Sequence, residues 1–184
     1  MRAVCLASGP SLTQEDVDLV RQWREQTPDS LVVVANTTFR IAPWADALFA
    51  MDARWWKTYG AEVNEAFKGE CFTTANDPSI AAMRPKSFNS YRNSGAGCIS
   101  LASDRGAEQI VMLGYDCMKD GGLTHWHGSH PEGMSDAKTI AVWPVIFKRL
   151  AKDMKQKGVS VVNASRKTAL TCFERVELEA VLHP

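Results

Sequence analysis

Short apolar runs alternate with amphipathic stretches along this chain, and the runs end repeatedly on small or polar residues. Ala3-Val4-Cys5-Leu6-Ala7 stops at Ser8-Gly9-Pro10-Ser11, which predicts a buried strand followed by a tight turn. Thr13 is placed to cap the next helix, with Asp16 three residues later as a capping-box partner. Val17, Leu19, Val20 and Trp23 mark the apolar side of that helix, which ends near Thr27-Pro28. Leu31-Val32-Val33-Val34-Ala35 is β-branched and apolar at every position, as befits a strand inside a sheet covered by helices on both faces. Ala47 to Met51 predicts a third strand, ending at Asp52, and residues 53–67 a helix. A short strand over 70–75 and an irregular stretch over 76–93, with Pro78 and Pro85, follow.

Asn93-Ser94-Gly95-Ala96-Gly97 opens a helix that runs to about Gly106, and Gln109 to Leu113 is a strand ending in Gly114-Tyr115-Asp116. A long polar segment follows, from Cys117 to about Met134; a connection of this length inside a compact domain is functional or mobile, and residues 115–135 are read as a long active-site loop. Ser135 is expected to cap a helix over 136–157. A last strand over 159–163 and a helix over 169–182 complete the chain. This order predicts an α/β protein: a single Rossmann-like domain over residues 1–184, with an open, mostly parallel sheet and helices on both faces. Such sheets bind ligands outside the C-terminal ends of their strands. Ser8, Asn36, Asp52, Asp116 and Asn163 all fall at that end.

Composition narrows the class. The 21 basic residues balance 21 acidic ones, so a general nucleic-acid binder, which shows a basic excess, is disfavoured. The five cysteines are odd in number and show no C-x-x-C spacing, which favours reduced thiols in a reducing compartment over a disulfide framework or a zinc ribbon. No apolar run approaches the ~20 residues of a membrane span. The first residues read as a strand rather than a secretion signal, so a cytoplasmic location is expected.

Several features carry candidate chemistry. In the first turn Gly9 would let backbone approach a ligand, Pro10 fixes the turn and Ser11 offers a hydroxyl, while amides at the following helix start favour an anion. The same tripeptide also suits a plain αβ turn. The dinucleotide fingerprint and the Walker lysine are both missing. Ser94 and Gly95 open a helix whose N-terminus suits phosphate, or equally close helix–sheet packing. His125, His127 and His130 share one polar loop, where an imidazole suits general acid–base work. No thiolate or carboxylate stands at a familiar zinc spacing beside them, so no metal site is assigned there. Asp52 and Asp116 could hold a ribose or a magnesium ion, or simply cap and bridge. Asp120 and Asp136 flank the same loop, and Arg166-Lys167 could neutralise a phosphate or stand solvated.

The ordered set of motifs resembles a known group. Gly9–Leu12, Val33–Asn36, Asn93–Ala102, Ile110–Asp116, His125–Gly128 and Val161–Ser165 follow one another as in the small bacterial sialyltransferases of glycosyltransferase family 42. The same set is similar to the related MptE-like 6-hydroxymethylpterin pyrophosphokinases. The resemblance spans nearly the full chain. It implies a nucleotide-sugar donor of the CMP type over the strand ends and a histidine general base. Carried over by position, Ser8, Gly9 and Ser11 would contact the donor phosphate or ribose, and Asn36 would hold the nucleotide. Ser94 and Gly95 would line the cytidine or phosphate pocket. Asp116 matches the Asp after the family's strand, and His125 matches the catalytic histidine, with His127 its rival. Asp52 stands where the sialyltransferases tend to place an Asn, and an acid there suits a Mg-nucleotide.

Three functions are therefore expected in turn. The first is a sialyltransferase-like glycosyltransferase acting on a small-molecule donor and an acceptor of unspecified kind. The second is a magnesium-dependent pyrophosphokinase or nucleotidyl transferase. The third is a binding protein for a nucleotide or sugar-nucleotide that has no catalysis.

Overall fold

The computed structural model describes residues 1–128 and 139–183. The predicted cap Ser135, along with His130 and Asp136, lies outside the described residues. Among the described residues fourteen elements follow one another: β1 (Arg2–Leu6), α1 (Gln14–Gln26), β2 (Ser30–Ala35), a 3-10 turn (Asn36–Arg40), β3 (Ala47–Phe49), α2 (Ala53–Ala66) and β4 (Glu70–Phe72), then α3 (Ser94–Asp104), β5 (Gln109–Leu113), a second 3-10 turn (Ile140–Val142), α4 (Trp143–Gln156), β6 (Ser160–Asn163), β7 (Glu174–Arg175) and α5 (Leu178–Leu182).

The strands form one sheet in the order β4-β3-β2-β1-β5-β6-β7, and every described pairing is parallel. From the central β1 the chain first builds outward to β4. It then crosses back to β5 and builds outward the other way. The order thus reverses between β1 and β5, which places a crevice at the C-terminal ends of those two strands.

Alternation along the strands sorts the core into two layers. Val4 and Leu6 of β1, with Val32 and Val34 of β2, face a cluster completed by Val17, Val20 and Trp23 of α1, Trp55 and Tyr59 of α2, and Leu178 and Leu182 of α5. Ala3 and Cys5, with Leu31, Val33 and Ala35, face the opposite cluster with Ile99 and Leu101 of α3 and Phe147, Leu150 and Met154 of α4. Both faces of the sheet are covered, so β2, apolar from Leu31 to Ala35, is buried at every residue.

Local chemistry explains where the helices start. Thr13 Oγ1 accepts from the Asp16 amide at 3.2 Å while Asp16 accepts from the Thr13 amide, the reciprocal box expected at that position. Such a cap contributes about 1 kcal/mol. Asp52 caps α2 by accepting from the Arg54 amide at 2.9 Å. Pro144 stands in the first turn of α4, where its missing N–H costs nothing.

Four expectations need correction. Among the described residues the helix expected over 136–157 begins only at Trp143, after a 3-10 turn over Ile140–Val142. The third strand stops at Phe49 rather than Met51, and the fourth at Phe72 rather than Ala75. The expected helix over 169–182 is only Leu178–Leu182. Ahead of it runs β7, held by the Val176 amide on the Asn163 carbonyl at 3.1 Å and by Arg175 Nη2 on the Ser165 carbonyl at 2.8 Å. Two exposed, charged residues carry no apolar signal for a strand. Among the described residues, no helix is long and apolar enough to cross a membrane.

Candidate functional site

A cavity of about 530 Å³ opens at the topological switch, within the size range of small-molecule sites. Its walls come from the ends of β1, β2, β3 and β5, the N-terminus of α3, the loop after β5 and the start of α4.

The β1 wall is the first turn. Beyond Leu6 the backbone stays bonded to the neighbouring strand's end, with the Ala7 amide on the Leu113 carbonyl at 2.9 Å and the Gly9 amide on the Gly114 carbonyl at 2.8 Å. Gly114 adopts φ +74, which allows this close run. Ser11 then turns away from the cavity. Its amide and its hydroxyl both donate to the Asp116 carboxylate at 2.8 Å. Asp116 is fully buried, and burial holds its carboxyl above the usual range against the lowering effect of the Ser11 bonds.

The opposite wall is α3. Asn93 caps it by accepting from the Ala96 amide at 3.0 Å. Ser94 Oγ accepts from the Met51 amide at 3.3 Å, which ties the helix start to the end of β3. The Tyr115 hydroxyl donates to the Gly95 carbonyl at 2.9 Å and fixes the same turn against β5. Asn93, Ser94 and Gly95 all line the cavity, so the positive end of the helix dipole faces it.

The third wall is the loop after β5. His125 is 9% exposed, and its Nδ1 lies 3.1 Å from Ser8 Oγ. The Trp126 amide donates to the Ser8 carbonyl at 3.1 Å, so Ser8 grips the histidine loop twice. The His125 and His127 rings stack at 5.1 Å with an interplanar angle of 8°. The backbone between them is a turn, closed by the Gly128 amide on the His125 carbonyl at 3.1 Å, and it brings the two rings together.

Among the described lining residues the charged side chains are Asp52, Arg54 and Arg92. The α3 N-terminus, with Arg92 beside its cap, favours an anionic ligand. Asn36, Arg92 and Cys117 also line the cavity and all have left-handed backbone, at φ 50, 56 and 49. Asn adopts this conformation readily, but Arg and Cys do so at a cost. Strained residues gathered at one cavity are a mark of functional sites. Cys117 is no thiolate nucleophile, because burial pushes its thiol up to about 12.

Of the residues singled out by sequence, Ser8, Gly9, Asn36, Asp52, Ser94, Gly95 and His125 meet at this cavity. Ser11 and Asp116 bind one another instead, and Pro10 and His127 are not part of its described wall. Asn163 is buried and closes a turn by accepting from the Ser165 amide at 3.0 Å. Arg166 makes a two-pronged ion pair with the buried Asp16, and Lys167 pairs with Asp120 at 2.7 Å. Sequence reasoning missed Arg54, Arg92, Tyr115 and Trp143. Arg92 directly precedes the α3 cap and Arg54 follows the α2 cap by two residues, so attention to the residues flanking caps was the available signal. Among the described residues no group of three or more His, Cys, Asp or Glu side chains could hold a metal ion. The chain matches no protein-family model, and no curated protein matches it.

Proposed function

We propose that the protein is a nucleotide-dependent transferase, a sialyltransferase-like glycosyltransferase in which a nucleotide-sugar donor lies along the strand ends. The observation that carries this reading is the placement of His125. It is a nearly buried imidazole in the same cavity as the α3 N-terminus, Arg54 and Arg92. The α3 amides and the guanidiniums bind the donor's phosphate and stabilise the charge that develops on it as it leaves. Asn36 and the β2 end take the nucleoside. His125 removes the proton from an acceptor hydroxyl as the new bond forms.

The test is a thermal-shift screen with CMP, UDP, GDP, ADP and their sugar forms, with and without magnesium, followed by turnover assays on any donor that binds. Binding raises the melting temperature by mass action. His125→Ala is expected to lose about 10²- to 10⁴-fold in turnover while nucleotide binding stays near wild type. Wild-type kinetics in that variant would sink the assignment. Tight binding without turnover on any donor selects a sequestering protein instead.

Asp52 favours a second reading, a magnesium-dependent pyrophosphoryl or nucleotidyl transferase. It is the one carboxylate among the described lining residues. A single carboxylate suits a magnesium ion that arrives bound to the nucleotide's own phosphates. Activity that vanishes in chelator and returns with magnesium selects this reading, and indifference to chelation selects the first.

A further inference from the structure

We infer that Tyr91 is a positioning residue for the bound anion: its hydroxyl, anchored on Asp153, holds a turn whose residues do not favour their backbone conformation, and that turn puts Arg92 on the cavity wall. The inference rests on the anion-binding reading of the same cavity.

Arg92 lines the cavity beside the α3 cap, and among the described residues its guanidinium has no hydrogen bond or ion pair within the protein. Its backbone is unusual. Ser90 to Asn93 is a β-turn, closed by the Asn93 amide on the Ser90 carbonyl at 3.0 Å. Both central residues have positive φ, 53 at Tyr91 and 56 at Arg92, the arrangement of a type I′ turn. Such turns are the province of Gly, Asn and Asp, because at a left-handed φ a Cβ crowds the following carbonyl oxygen. Tyr and Arg in succession give the turn no local preference for this shape. Contacts outside the turn must hold it.

The anchor is the Tyr91 side chain. Its hydroxyl donates to Asp153 Oδ2 on α4, and its ring packs on the core cluster that α3 and α4 share. Burial, and then the Asp153 carboxylate, raise the phenol above its ordinary value, so it stays a donor at neutral pH. A hydrogen bond to a charged acceptor is about twice as strong as a neutral one. Asn89 adds a local brace, its Oδ1 accepting from the Tyr91 amide at 2.8 Å. Tyr91 is not part of the described cavity wall, whereas Arg92, Asn93, Ser94 and Gly95 in succession are. The turn therefore divides two tasks between neighbours: Tyr91 grips α4, and Arg92 serves the cavity. Asp153 sits on the same helix that brings Trp143 and Phe147 to the cavity, so the bond also fixes the Arg92 wall against the α4 wall. Without the anchor the turn relaxes toward ordinary negative φ. The fraction of molecules with Arg92 in place then falls, and apparent affinity falls with it.

The experiment is calorimetric titration of the full chain with inorganic pyrophosphate and with CMP at low ionic strength, in wild type, Tyr91→Phe, Arg92→Ala and the double variant, with a thermal melt of each. Arg92→Ala is expected to lose about tenfold in affinity. Tyr91→Phe removes one hydroxyl away from the cavity wall. It is expected to lose about three- to tenfold, and no more than Arg92→Ala, since it acts through that residue. Added to Arg92→Ala it should change the affinity no further. Asp153→Ala should repeat the Tyr91→Phe loss, and Asp153→Asn, which keeps an acceptor, should stay close to wild type. If Tyr91→Phe does not melt cooperatively, the two Asp153 variants carry the same comparison. An equal loss from Tyr91→Phe with and without Arg92 marks a merely structural residue and overturns the inference. If Arg92→Ala is weakened while Tyr91→Phe and Asp153→Ala bind like wild type, the inference fails and the anion reading stands. An Arg92→Ala chain that binds like wild type also overturns the inference. If wild type binds neither probe, the inference and the anion reading fall together.

Discussion

A Cβ added to Gly9 would lie 2.2 Å from Asp116 Oδ1, so the first turn and the end of β5 are packed against each other with no room for a side chain. The Gly114 carbonyl stands at 2.5 Å from the same point. Gly9 is therefore required by the protein's own packing, in addition to any approach of a ligand.

This contact sets the first prediction. Asp116→Ala leaves the Ser11 amide and hydroxyl without their acceptor and is expected to cost about 1–3 kcal/mol. Asp116→Asn keeps an acceptor for the amide and removes a buried charge, so its cost should be smaller. The pH dependence has a defined sign. A carboxyl raised in the native state stabilises the fold below its unfolded value of 3.8, and that contribution is lost as pH rises through the higher native value. Urea titrations of wild type and Asp116→Asn should therefore diverge upward of pH 3.8, with the wild type falling.

Gly97 in α3 supplies a second. An added Cβ would meet the Phe49 ring at 2.2 Å. Helix propensity alone predicts that Gly97→Ala stabilises by about 1 kcal/mol. Overpacking costs about 1–3 kcal/mol, and with a ring buried in β3 the steric effect wins. Denaturant midpoints should show a net loss, partly recovered when Phe49→Leu is added.

The thiols give a third. Burial raises Cys71 to about 11 and Cys117 to about 12, and raises Cys5, Cys98 and Cys172 as well. Since the thiolate is the reactive form, Ellman's reagent at neutral pH should label the native protein slowly at every cysteine. All five should react promptly in guanidinium. A fast native thiol would contradict the burial of these groups.

Arg92 gives a fourth. It lines the cavity and is exposed, so its attraction for an anion is screened by salt. Arg92→Ala should weaken CMP binding by about tenfold at low ionic strength, a loss of ~1.4 kcal/mol, and by less in high salt. Calorimetric titration at two salt concentrations measures both effects.

The sequence showed the sheet because its inner strands are apolar on both faces, as Ala3 to Ala7 and Leu31 to Ala35 are. It showed the site as a set of strand ends, since polar residues after buried strands mark the carboxyl edge. What stayed hidden depends on contacts between distant residues. The Ser8–His125 bond spans 117 positions, and no periodicity announces it. Ser11 and Ser8 look alike in the turn, yet one hydroxyl faces a buried carboxylate and the other lines the cavity. Glu174 and Arg175 form a strand through backbone pairing at an edge, where side-chain type decides little.

The central position of β1 has a consequence for how the protein is made. Its partner on one side, β2, leaves the ribosome soon after it, but the register of Arg2 with Gln109 waits for β5. Closing a loop of that length costs about 4 kcal/mol of chain entropy before the pairing returns anything. Until then β1 has one edge open to whatever strand reaches it first, including one from a neighbouring chain. Cells growing slowly or in the cold should therefore yield more of the folded protein than cells making it quickly.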